Sequence, residues 1–200
     1  MTPAETAFIQ KVRDDLAEYG MRLVLRNSKL VQVDGVKCLG FFDQEKIMIG
    51  TGSPNWVGTL AHEYSHFIQW ATGSKIYAKC FGPVNNYADI QEEWLRGKKH
   101  KPFLVRRAFN AVREMERECE MIAVALIKKY ELPVDIERYT QEANCYIYMH
   151  HLMEEHGKHW GEAKGDPFSS RIIRNMPSSF RHKSHKKIPD NIREILDRVF

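Results

Sequence analysis

The chain has 200 residues, of which 43% are hydrophobic and 28% charged, with a formal net charge of +4 at neutral pH. This balance excludes a disordered or low-complexity chain and suits one compact domain with its own core, or a core with an extension. No run approaches the roughly 20 apolar residues of a membrane-spanning helix, and the amino terminus lacks the basic and apolar regions of a secretory signal, so a cytoplasmic protein is expected.

Thr2-Pro3-Ala4-Glu5 has the form of a capping box, and Phe8, Ile9, Val12, Leu16 and Tyr19 recur at helical spacing until Gly20. This predicts a first helix behind a sheet. Four β-like runs follow at 21–26, 29–33, 36–42 and 46–50, with Asp34-Gly35 as a hairpin signal. The last run is expected either to present an unpaired edge to an extended peptide or simply to complete the sheet. A helix is predicted over 53–73, with Ser53-Pro54 as start and Gly73-Ser74 as stop. Between 75 and 102 the pattern is weak: a turn at 83–86, a helical fragment over 89–95 and a basic loop. Long amphipathic helices are predicted over 103–130 and 136–156, and a short one over 190–200. The expected organisation is an α+β core over 1–130 with a helical extension over 131–200 packed on it.

The chemistry is carried by Thr59-Leu60-Ala61-His62-Glu63-Tyr64-Ser65-His66, an H-E-x-x-H pattern inside the predicted 53–73 helix. Two His four positions apart lie one turn above the other on a helix and can grip one ion. A carboxylate at Glu63 stands where it can take a proton from water activated by that ion, which makes this a zinc hydrolase half-site. Catalytic zinc normally has three protein ligands. On the 103–130 helix, Phe109, Val112, Glu116, Glu120, Ala123 and Ile127 share one face, so two carboxylates interrupt an apolar surface. Buried carboxylates need a cation or a donor. Glu116 is therefore assigned as the third ligand, and Glu120 as an acceptor orienting a ligand His through its other N–H. Glu114 and Glu118 are expected on the solvent side near Arg113 and Arg117. Competing donors are Asp89, Glu92 and Glu93, with His150, His151, His156, His159, His182 and His185.

Together with Glu116-Arg117-Glu118-Cys119-Glu120-Met121-Ile122-Ala123, the motif resembles a zincin metallopeptidase of the H-E-x-x-H…E, gluzincin-like type. Within that class it is similar to the intracellular ImmA/IrrE-like peptidases, whose second helix carries E-x-E-A-x-x-x-A, and to phage and bacterial proteins with a metallopeptidase domain. The resemblance implies a minimal zincin fold: a small twisted, mostly antiparallel sheet, a backing helix, the motif helix and a Glu-bearing helix. Here the stretch from His66 to Glu116 is longer than in those peptidases, and residue 119 is Cys where Ala is usual.

The expected activity is zinc-dependent peptide hydrolysis with Glu63 as general base, acting on a protein or peptide substrate. Tyr139, Tyr146, Tyr148 and His150 are candidate oxyanion donors, or else core residues. Cys38, Cys80, Cys119 and Cys145 form no C-x-x-C pair and read as buried thiols. Basic residues cluster in 96–113 and 171–187. They allow an alternative, a non-catalytic zinc-stabilised accessory module binding nucleic acid or protein.

Overall fold

The computed structural model describes residues 1–33, 35–83, 86–180 and 184–200. Asp34 of the hairpin signal, half of the 83–86 turn, and His182 with its neighbours in the second basic segment lie outside these residues. The architecture is α+β, with helices α1 (Pro3–Glu18), α2 (Trp56–Ala71), α3 (Lys75–Phe81), α4 (Tyr87–Leu95), α5 (Pro102–Lys129), α6 (Ile136–His156), α7 (Ser170–Ile173) and α8 (Asp190–Leu196). Strands are β1 (Arg22–Arg26), β2 (Val31–Val33), β3 (Val36–Cys38), β4 (Gly40–Phe42) and β5 (Lys46–Gly50).

One compact unit takes Met1–Thr72 with Cys119–Ile136. Its first helix is closed by Thr2, whose side chain accepts from the Glu5 amide while Glu5 reaches back, satisfying amides that the first helical turn leaves without partners. The apolar stripe of α1 puts Phe8, Val12 and Leu16 fully out of water, each contributing about 1.5–3 kcal/mol. Phe8 packs on the rings of Tyr64 and Tyr130, at centroid distances of 5.9 and 5.1 Å.

The sheet order is β1-β5-β4, parallel between β1 and β5 and antiparallel between β4 and β5, while β2 and β3 pair separately. The three-stranded sheet is thus mixed, and the two-stranded one is antiparallel. The 36–42 run becomes two strands because its partner changes at Leu39, from β2 to β5. Strand β5 is central, which explains its buried Ile47 and Ile49. It completes the sheet and offers no unpaired edge; β4 is the edge strand that packs on α2. The motif helix starts later than Ser53-Pro54, after Asn55, which makes no side-chain cap. It ends where Gly73 takes φ 67°, a conformation open to glycine at little cost.

A second unit takes Gly73–Glu118 with Glu137–Phe200. Ser74 and Asn86 cap α3 and α4 through their side chains. Helix α6 supplies Cys145, Tyr148, Met149 and Leu152 to a core closed by α7 and α8. Arg113 departs from expectation. It is 2% exposed, pairs with Glu154 at 2.9 Å and donates to Asn110 Oδ1 and the His150 carbonyl. A guanidinium is tolerated there because Nη1 and Nη2 are paired with a carboxylate and two oxygen acceptors, although Nε has no hydrogen-bond partner among the described residues. Of the basic residues in 96–113, Arg113 alone leaves the solvated face: Arg96, Lys98, Lys99, Lys101, Arg106 and Arg107 are exposed, with Arg96 and Lys98 paired to Glu92 and Glu93. Among the described residues, no helix is long and apolar enough to cross a membrane.

Candidate metal centre

Helix α2 places the rings of His62 and His66 one turn apart, with centroids 4.7 Å from each other. Each ring is tied at Nδ1. His62 Nδ1–H donates to Glu120 Oε1 at 3.0 Å, and His66 Nδ1–H donates to Gln69 Oε1 at 3.0 Å. An imidazole that donates through Nδ1 carries its lone pair on Nε2, so these bonds select the ligand nitrogen and hold the ring orientation.

Glu120 belongs to α5, where Glu116, Cys119 and Glu120 are all buried. Glu116 lies one turn before Glu120 on the same unbroken helix. Ligand-capable atoms of His62, His66, Glu116 and Cys119 fall within 4.8 Å of one another, so this group can hold a metal ion. The donor set fits: two neutral imidazoles and a buried carboxylate give a divalent cation nitrogen and oxygen ligands, and the cation offsets the burial of Glu116. Cys119 is placed differently. Its thiol donates to the His62 carbonyl at 3.3 Å, and Sγ is 3.6 Å from His62 Nδ1, on the side that Glu120 occupies.

The electrostatics of His62 follow from the same neighbours. Burial works against a charged ring, but Cys119 and Glu120 outweigh it and raise its pKa well above the usual value of 6.5. A metal ion must displace that proton, so binding there is coupled to proton release.

Glu63 is 9% exposed and faces strand β4. A Cβ built on Gly40 would lie 2.7 Å from Thr59 Cγ2 and 2.9 Å from Glu63 Cγ, so the strand reaches this close to α2 because residue 40 has no side chain. Cys38, just before it, has its thiol pKa raised, by burial first and then by the Glu63 carboxylate.

No family model, curated protein or solved structure matches this chain. Of the competing donors, several have partners elsewhere, and His182 lies outside the described residues. Glu92 and Glu93 pair with Arg96 and Lys98, and Asp89 accepts from Asn86. His151 donates to the His185 carbonyl at 2.9 Å, and His150 bonds with Gln91. Of the other carboxylates on α5, Glu114 is exposed and Glu118 accepts from Ser74 Oγ at 2.6 Å. Tyr148 is buried in the α6 core, Tyr139 is half-buried, and Tyr146 and His150 line a cavity together with Glu116. Gln69 and Gly40 went unnoticed in the sequence. The available signals were a Gln three positions after His66 and a glycine inside a β-like run.

Proposed function

We propose that the protein is a zinc-dependent metallopeptidase of the zincin class. The observation that carries this reading is the pair of Nδ1 anchors, Glu120 on His62 and Gln69 on His66. They prepare two Nε2 ligands on the helix that also carries Glu63. His62, His66 and Glu116 would hold the ion. Bound there, zinc would polarise a peptide carbonyl and lower the pKa of a water molecule towards ~7. Glu63 takes the proton from the attacking water and returns it to the leaving amine, a role suited to a carboxylate sheltered between α2 and β4. An extended peptide adding to the outer edge of β4 would pass beside Gly40 and Glu63.

The test is metal content together with cleavage. Wild-type protein is expected to purify with about one equivalent of zinc, retained in Glu63→Gln and lost in His62→Ala. Peptides generated in a proteome by the wild type should be missing with Glu63→Gln. A protein without zinc, or identical peptide profiles, rejects the reading.

A second reading is favoured by Cys119. As a fourth protein ligand it would close the coordination sphere, as in structural zinc sites. The protein would then be a zinc-stabilised binding module that uses its basic segments for an anionic partner. Persistent zinc with no Glu63-dependent cleavage selects this alternative.

A further inference from the structure

Helices α4 and α6 hold a polar pair that the proposed hydrolysis does not use. Gln91 Nε2 donates to His150 Nδ1 at 2.9 Å, and the two residues are 8% and 3% exposed. With Nδ1 accepting, the ring proton sits on Nε2. Neither that Nε2 nor Gln91 Oε1 has a hydrogen-bond partner among the described residues. Interchanging the Gln91 amide atoms reverses both roles and leaves the same requirement, one donor and one acceptor still to be met.

Both residues line one cavity of about 210 Å³ that lies wholly within the second unit. That is roughly seven waters' share of volume, enough for a long side chain. Much of the remaining wall is apolar, with Leu95, Val112, Met115 and Met153, and exposed Phe81 and Glu92 also line it, leaving a way in from solvent. Glu116 belongs to the same wall, so the cavity shares a carboxylate with the candidate metal centre.

We propose that this cavity is a side-chain recognition site for an uncharged tip carrying both a hydrogen-bond donor and an acceptor on an apolar stem, with glutamine as the fitting substrate residue. As a substrate site it rests on the peptidase reading. An apolar tip leaves both buried groups unmet, at a cost of roughly five- to a hundredfold in affinity for each. A carboxylate brings no donor for the Gln91 carbonyl. An ammonium brings no acceptor for the imidazole N–H. A carboxamide answers both groups without charge.

The experiment uses the full-length, metal-loaded protein and four probes: the N-acetyl methylamides of glutamine, norleucine, glutamate and lysine. Affinities are measured by titration while the ring nitrogens of His150 are followed by ¹⁵N NMR. The glutamine probe should bind at least about tenfold tighter than the other three and shift the His150 ring signals, and Gln91→Leu should remove that preference. The comparison among probes is made on the wild type, so it stands even if the variant misfolds. Equal binding of the four probes, preference for a charged one, or glutamine binding that leaves His150 unmoved overturns the proposal. Hydrolysis assayed in parallel separates the two readings. Cleavage indifferent to glutamine, with equal probe affinities, sinks the cavity and spares the peptidase; glutamine binding without hydrolysis of any peptide does the reverse.

Discussion

The two motif histidines differ in how they are held, and the difference can be measured. His66 leans on Gln69 of its own helix, a local bond that forms as α2 forms. His62 depends on Glu120, which comes from α5 and is itself buried. Glu120→Ala therefore removes the carboxylate acceptor that holds the His62 ring, and metal affinity should fall by about 10–100-fold. Cys119→Ala should leave affinity within a few-fold of wild type, because its thiol is directed at the His62 carbonyl. Competition with a chromophoric chelator measures both, and cobalt substitution adds a check. A sulfur-to-cobalt charge-transfer band that disappears in Cys119→Ala would establish Cys119 as a ligand and favour the structural-metal reading. Glu116 and Glu120 were legible because carboxylates on an apolar helical face demand a partner. Cys119 and Gln69 were not, since a buried thiol and a helical amide look ordinary until their neighbours are known.

Strand β4 is where an element depends on one atom. It sits at the sheet edge and packs on α2 at Gly40, so added volume there meets Thr59, Glu63 and Ile49 all at once. Gly40→Ala is expected to cost about 1–3 kcal/mol through overpacking, read as a lower urea midpoint at unchanged slope. The nearest atom is the Thr59 methyl, so adding Thr59→Ser should restore part of the loss. A neutral Gly40→Ala would mean that the strand and helix are not in close contact. Helices were the legible elements: α1 and α6 carry uninterrupted periodicity and clear ends, and α5 begins and ends within one residue of the prediction. Helices α3 and α4 were missed or shortened because each is brief and depends on a capping Ser74 or Asn86 rather than on a long stripe. Strand order was hidden for another reason. That β1 would pair in parallel with β5, leaving β4 at the edge, is decided by contacts distant in sequence, as is the burial of Arg113 against Glu154.

Over the whole molecule, histidines of opposite sign make the two units respond differently to acid. In the second unit, burial pushes His150 and His151 down to about 4, Arg113 adding to the effect at both. The unfolded chain takes up these protons near pH 6.5 and the folded chain only near 4, so stability is intact above ~6.5 and drains away between the two values. At about pH 5 the loss is roughly 2 kcal/mol per histidine. In the metal-free first unit, His62 has a raised value, so its contribution is fully present below ~6.5 and is lost only as pH rises through the folded pKa. Acid should therefore loosen α6 while the helix carrying His62 keeps its protection. Amide hydrogen exchange of the metal-free protein near pH 7 and near pH 5, corrected for intrinsic rates, measures each helix separately. Protection in α6 should drop at the lower pH, and His151→Gln should blunt the drop by removing one of the two groups. Equal loss in α2 and α6 would show that the two units share a single opening reaction, and unchanged protection in α6 would mean that its histidines accept protons without cost to the fold.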